Sequence, residues 1–132
     1  MKELKVLPEA GFTLLELLVV IAIIGILAAI SIVQFGVFRA RGFDANVKSD
    51  VKNFITTQEA YFVDTDTYGS GNGIDSIFTS RGFRQSAGVN ISTTGNALDF
   101  TVTGTAVWGC SSGTGIWTYD SSTGMVVGTN CI

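Results

Sequence analysis

The feature that most constrains this chain is a long apolar run near its start that contains a single carboxylate. From Phe12 to Val33 the run covers 22 residues, and an α-helix needs about 20 to cross a bilayer. Glu16 is the only charged residue within it. A charge in the middle of a membrane helix costs about 2.5–3.5 kcal/mol on insertion scales, so such residues usually have a function. The run therefore predicts a membrane-spanning helix in which Glu16 has a specific role.

A secretory signal peptide is the main alternative for this segment. Such peptides combine a basic start, an apolar core of about 7–15 residues and a small-x-small cleavage site. Here the apolar run is longer, Glu16 interrupts it, and Leu27-Ala28-Ala29 has a large residue where a small one is required. We therefore expect the span to be retained.

The residues around Glu16 resemble the amino-terminal signature of type IV prepilins. The matching run is Gly11-Phe12-Thr13-Leu14-Leu15-Glu16-Leu17-Leu18, and Gly25 stands where that family often has a helix glycine. The resemblance implies that a prepilin peptidase removes the leader Met1–Gly11, cuts between Gly11 and Phe12, and methylates the new amino group of Phe12. It also implies a single span in the bacterial inner membrane before assembly and an extracellular pilus afterwards. The implied partners are other copies of the chain and the inner-membrane pilus assembly machinery.

Glu16 can be explained physically beside this resemblance. A carboxylate is favoured near the start of a helix, where backbone N–H groups are unpaired and the helix dipole is positive. Glu16 lies just over one turn from the amine that cleavage would free on Phe12, so the two charges can compensate within one molecule or between two. The resemblance favours the contact between molecules, which would set register because a misregistered subunit leaves the anion unpaired. The other alternative is that Glu16 extends to the membrane interface.

Two features depart from the family pattern. Many relatives have a proline where this chain has Val33, and without it the unwinding of the helix between Gly25 and Val33 stays an open question. The leader has two lysines and two glutamates, whereas Arg39 and Arg41 follow the span. The positive-inside rule therefore does not predict the orientation, which we take from the resemblance.

The helix is predicted to continue past the membrane as an amphipathic segment over residues 34–64. Asp44 and Lys48 are spaced for an i,i+4 ion pair on its surface. From Phe12 to Asp64 a continuous helix would measure about 80 Å. Large side chains recur in this segment at the three- and four-residue spacings of a helix face: Phe35, Phe38, Val47, Val51, Phe54, Ile55, Gln58 and Phe62.

Residues 65–132 are predicted to form a globular head. Gly69, Gly71 and Gly73 indicate a flexible connection, followed by a surface loop as far as Gln85. We expect an α+β type IV pilin fold, in which the long helix packs on an antiparallel sheet of about four strands. Short alternating or β-rich runs separated by turn residues supply the candidate strands, with Thr103-Gly104 read as one of the turns: Val89–Ser92, Leu98–Val102, Thr105–Trp108, Gly115–Tyr119 and Gly124–Val127.

The two cysteines, Cys110 and Cys131, are expected to form a disulfide, because the family commonly has a carboxyl-terminal disulfide loop and an exported chain meets an oxidising compartment. Such a bridge would be worth about 3 kcal/mol on the chain-entropy model. Two reduced thiols are the alternative. Metal binding is a weaker one, because the chain has no histidine.

The composition gives no support to catalysis or nucleic-acid binding. There is no histidine, no nucleophile motif and no phosphate-binding glycine loop, so we expect neither an enzyme nor a cofactor. An acidic loop with Asp64, Asp66, Asn72 and Asp75 lacks the spacing of a calcium-binding loop. The sequence pI is about 4.7, and nucleic acids are bound mainly by Lys and Arg.

The expected function is therefore that of a structural subunit that polymerises into a type IV pilus. A type II secretion pseudopilin or a minor pilin is the alternative. Adhesion, twitching motility, DNA uptake and biofilm formation stay open as roles of the filament.

Overall fold

The computed structural model describes residues 11–108, 110 and 115–131; most of the predicted leader lies outside them. The described residues form a long helix followed by an antiparallel sheet, which confirms the predicted α+β pilin-like fold. In chain order the elements are α1 (Leu14–Thr65), β1 (Gly71–Asn72), α2 (Ser76–Thr79), β2 (Val89–Gly95), β3 (Phe100–Ala106), β4 (Ile116–Asp120) and β5 (Met125–Thr129).

The helix α1 is uninterrupted over 52 residues and ends within one residue of its predicted end. It is helical throughout the segment from Gly25 to Val33, which contains no proline to remove a backbone hydrogen bond. The hydroxyl of Ser31 donates to the carbonyl oxygen of Leu27 at 2.8 Å, so this polar side chain is satisfied within the helix itself.

The chain divides into two compact units, one extending through Phe35 and the other beginning at Gly36. In the first unit every described residue is exposed, including Phe12 at 85% and Ile32 at 73%. By length and composition α1 is suited to cross a membrane, and it is the one helix of which this holds in the described part of the chain. The first unit therefore presents an apolar helix surface that no other described residue covers.

The second unit has its core between the later part of α1 and one face of the sheet. The strands follow the order β1-β2-β3-β4-β5, and every neighbouring pair is antiparallel. Along β3 buried and half-buried residues alternate, as expected for a strand with one face on the core. The buried cluster contains apolar residues of α1, of the sheet, and of α2 and the turn that follows it: Val47, Val51, Phe54, Phe78, Phe83, Val89, Ile91, Phe100, Val102 and Ala106.

The predicted turn at Thr103-Gly104 is wrong, because both residues lie inside the continuous strand β3. A Cβ added at Gly104 would lie 2.6 Å from Cγ2 of Val51 and 2.8 Å from Cγ1 of Val47. The glycine therefore marks the place where the sheet backbone closely approaches α1, which is a common reason for glycine inside a strand. Two predicted strands are consequently one, and among the described residues the sheet has five strands because the short β1 adds an edge.

Two buried polar side chains of α1 bond to β2 and to the loops that precede and follow α2. Gln58 is fully buried; its Nε2 donates to the carbonyl oxygen of Gly69 and to Oγ1 of Thr93, both at 2.8 Å. Asp50 accepts from the backbone N–H of Ser86 at 2.7 Å and from its hydroxyl at 2.9 Å. Because a buried polar group without a partner is costly, these bonds fix the position of the loops on the helix.

The expected ion pair between Asp44 and Lys48 does not form, since both side chains contact Trp117 of β4 instead. The indole N–H of Trp117 donates to Oδ1 of Asp44 at 3.0 Å, and Nζ of Lys48 lies 3.9 Å from the ring centroid. The i,i+4 spacing correctly predicted that the two side chains are neighbours. Both of them contact the indole of Trp117 instead of each other.

The disulfide between Cys110 and Cys131 is present in the structure, which confirms the predicted pairing. It joins two residues separated by 21 positions, with their Cα atoms 4.9 Å apart. Cys131 is 2% exposed, so the bridge lies in a buried position two residues after the end of β5.

Gly104→Ala should destabilise the second unit by about 1–3 kcal/mol, because the added methyl group would overpack the contact with Val47 and Val51. The measurement is urea unfolding of the full chain in mild detergent, followed by tryptophan fluorescence. Gly42→Ala is the matched control, since a Cβ there meets nothing within 4 Å and alanine is the better helix former. Equal stability of the two variants would contradict the close approach at Gly104.

Candidate assembly and processing site

The start of α1 is closed by reciprocal hydrogen bonds between Thr13 and Glu16. Thr13 directly precedes Leu14, the first helical residue, and its Oγ1 accepts from the backbone N–H of Glu16 at 3.2 Å. In return Oε2 of Glu16 accepts from the backbone N–H of Thr13 at 2.8 Å and from its hydroxyl at 2.9 Å. This is a capping box, in which two otherwise unpaired N–H groups at the helix start are satisfied by two side chains.

The capping box gives Glu16 a function within a single molecule that the sequence interpretation missed. The signal was present as Thr13-x-x-Glu16 directly before an apolar run, which is the usual pattern of this cap. The carboxylate also lies at the positive end of the helix dipole, where an anion is stabilised. Glu16 therefore has bonding partners before any neighbouring molecule arrives.

The cap leaves part of the carboxylate available. All the hydrogen bonds that Glu16 accepts from described residues go to Oε2, and none of them goes to Oε1. The residue is exposed, as are its neighbours along the helix. A cation from another molecule can therefore approach Oε1 while Oε2 retains the cap. The predicted contact between Glu16 and a neighbour's amine stays a prediction, and the geometry leaves room for it.

Gly11 and Phe12 lie just before the helix, and both are exposed. A Cβ added at Gly11 would meet no atom within 4 Å, and its φ angle lies outside the left-handed region that favours glycine. Neither packing nor backbone conformation in the described chain therefore requires glycine here. The Gly11–Phe12 peptide bond is accessible, as a cleavage site must be.

The structure does not gather the acidic loop residues into one group. Asp64 pairs with Arg81 at 2.9 Å, whereas the carboxylate of Asp75 accepts from the backbone N–H of Asn72 at 2.6 Å. No group of three or more His, Cys, Asp or Glu residues able to hold a metal ion occurs among the described residues.

Comparison with known proteins finds similarity to type IV pilins. The prokaryotic N-terminal methylation motif matches residues 8–32, which contain Gly11, Phe12 and Glu16. The chain is 38% identical over 96 residues to the type IV major pilin protein PilA of Myxococcus xanthus, an alignment covering 70% of this chain and 44% of that protein. These matches support a type IV pilin.

Two other relatives match over shorter stretches. The type IV wide pilus major component PilA4 of Thermus thermophilus is 45% identical over 60 residues, covering 46% of each chain. A type IV major fimbrial protein FimA of Dichelobacter nodosus is 45% identical over 56 residues, covering 42% of this chain and 36% of its own length. The chain thus spans less than half the length of these pilin relatives. The resemblance drawn from the residues around Glu16 is confirmed.

Thr13→Val should raise hydrogen exchange at the amide of Glu16 about fivefold, because an N-cap is worth about 1 kcal/mol. Thr13→Ser keeps the hydroxyl and should leave the exchange rate near that of the unchanged protein. The measurement is amide exchange by NMR on the full chain in detergent micelles. If the valine and serine variants exchange at the same rate, the side-chain cap does not stabilise the helix start.

Proposed function

We propose that this chain is a structural subunit that polymerises into an extracellular type IV pilus filament. The single observation that carries the proposal is the fully exposed apolar surface of α1 through Phe35. Transferring such a surface from lipid to water is strongly unfavourable, so the helix can leave a membrane only for an equally apolar environment. A bundle of the same helices from many copies provides one.

The segments then have successive functions. Residues 1–11 are a leader that a prepilin peptidase removes, and residues 12–33 span the inner membrane before they enter the filament core. Residues 34–64 form the amphipathic half of the helix, and residues 65–132 form the head outside the bundle. The names of the relatives, which describe major pilins and a major component of a wide pilus, support this assignment.

In this proposal Glu16 sets the register between subunits. Cleavage after Gly11 frees an amine on Phe12, directly beside the Thr13–Glu16 cap. A neighbouring subunit offers the same amine to the exposed Oε1 of Glu16, and an incorrectly offset neighbour leaves both charges unpaired in an apolar bundle. Because an unpaired buried charge costs about 3–5 kcal/mol, one offset is strongly preferred.

The proposal is tested by electron microscopy and immunolabelling of fibres sheared from the cell surface. Antibody against residues 65–132 should decorate long fibres along their whole length. Label confined to fibre tips would indicate a minor pilin, and label confined to the cell envelope would indicate a secretion pseudopilin. Either result contradicts the major-subunit proposal.

Glu16→Ala should reduce the sheared-fibre fraction at least tenfold, while membrane insertion and leader cleavage continue. Glu16→Gln is the informative control, because glutamine also completes a capping box but carries no charge. Immunoblots of sheared and membrane fractions measure the distribution. If the register depends on the charge, the glutamine variant fails to assemble as well; normal fibres from it would show that only the cap is needed.

Gly11→Val should leave the uncut precursor in the membrane, because a branched side chain would stand beside the bond that the peptidase must reach. Mass spectrometry of membrane extracts should find the intact leader in this variant and a methylated Phe12 at the amino terminus of the unchanged protein. Gly42→Ala, which alters another exposed glycine, should be processed normally. A correctly cleaved valine variant would remove Gly11 from the recognition site.

A further inference from the structure

An exposed tryptophan of the second unit lies close to the part of α1 around Phe43. Trp108 follows β3 and is 60% exposed, although a large aromatic side chain in a small domain is usually covered. A Cβ added at Gly88 would lie 3.1 Å from the Trp108 ring and 3.2 Å from the Phe43 ring, so the two rings flank this glycine. Gly88 has a φ angle of +78°, which glycine adopts at low cost. The backbone therefore holds Trp108 beside α1.

Two exposed arginines, Arg39 and Arg41, lie on α1 within four residues of Phe43. The guanidinium carbon of Arg39 lies 5.8 Å from the centroid of the Phe43 ring. Arg41 borders a groove of about 460 Å³ that is also lined by Cys131. Both arginines are exposed, whereas Asp44, the nearest acidic residue on α1, is buried and bonded to Trp117. This part of the surface is therefore positively charged and carries an indole.

Covalent connection limits how far these groups can lie from the end of the apolar run. Arg39 is six residues beyond Val33, so the extended chain between them spans at most about 20 Å. Tryptophan is enriched at membrane–water interfaces, and Arg side chains near the ends of spans extend to the headgroups. Anionic lipids attract cationic segments beside a span by about 1 kcal/mol for each Lys or Arg near the surface.

We propose that Trp108, Arg39 and Arg41 form a lipid-contacting surface that rests on anionic headgroups before assembly. The inference depends on the span assigned under the proposed function. The occupant is anionic lipid because the two arginines are complementary to phosphate, and because the indole can enter the interface while its N–H stays hydrated. Contact with a second copy is the competing explanation, which predicts that the environment of Trp108 depends on protein density.

The test uses the full precursor in vesicles of equal parts phosphatidylcholine and phosphatidylglycerol, with part of the lipid brominated next to the headgroup. Bromine quenches a tryptophan that it contacts, and this chain has only two tryptophans, Trp108 and Trp117. The bromolipid should quench about half of the emission of the unchanged protein. In Trp108→Phe, where half-buried Trp117 is the remaining fluorophore, quenching should fall at least threefold.

Two further measurements distinguish contact with anionic lipid from contact with a second copy. Replacing Arg39 and Arg41 with Gln should weaken Trp108 quenching in vesicles with phosphatidylglycerol and change it little in phosphatidylcholine alone. Quenching should not change when the lipid-to-protein ratio is raised tenfold; dependence on that ratio would indicate a second copy and overturn the proposal. Equal quenching of the unchanged protein and Trp108→Phe would overturn it too.

Insertion is measured separately by resistance to alkaline extraction from the same vesicles. A protein that resists extraction but shows no Trp108 quenching has the span and lacks the lipid-contacting surface, so only this inference fails. A protein that is extracted lacks the span, and the proposed function fails with it.

Discussion

The interaction on which the rest depends is the exclusion of one apolar helix surface from water. From Phe12 through Phe35 the residues of this chain are exposed, and no other residue that the structure describes covers them. Burying a Leu, Ile or Val side chain is worth about 1.5–3 kcal/mol, and this segment has 14 such side chains for lipid or neighbouring helices to cover. Under the proposed function, the same segment would serve first as a membrane anchor and later as part of the filament core, without any change in its own secondary structure.

The head has a different requirement, because its sheet must be held in one position on a continuous helix. It uses buried apolar residues such as Val51 and Phe54 together with directional bonds from Gln58, Asp50 and Asp44. Hydrophobic contact alone leaves the sheet free to slide along the helix, whereas buried polar pairs lose their bonds when the register shifts. The disulfide adds a covalent limit beside the last strand. Specific docking of the head thus comes mainly from a few polar side chains.

The sequence predicted features that depend on local pattern and missed those that depend on tertiary contact. The end of α1 was predicted within one residue because helical spacing continues to that point. Gly104 was misread because glycine marks a turn or a close approach equally well, and only the contact with Val47 and Val51 distinguishes them. Asp44 and Lys48 were paired on spacing, but the competing partner, Trp117, is distant in sequence. The Thr13–Glu16 cap could have been predicted from the sequence, because Thr-x-x-Glu before an apolar run is the usual pattern of a capping box.

That cap changes the physical problem posed by Glu16. An anion in an apolar segment would be disfavoured in the isolated subunit if its only partner were a neighbour's amine. With Oε2 already accepting from Thr13 and stabilised by the helix dipole, part of this cost is offset before assembly. Oε1 has no hydrogen-bond partner among the described residues, so a bond from a neighbour's amine would stabilise the carboxylate further. Under the proposed function, partial satisfaction of this one carboxylate would let the subunit persist in the membrane and still discriminate between correct and incorrect neighbours.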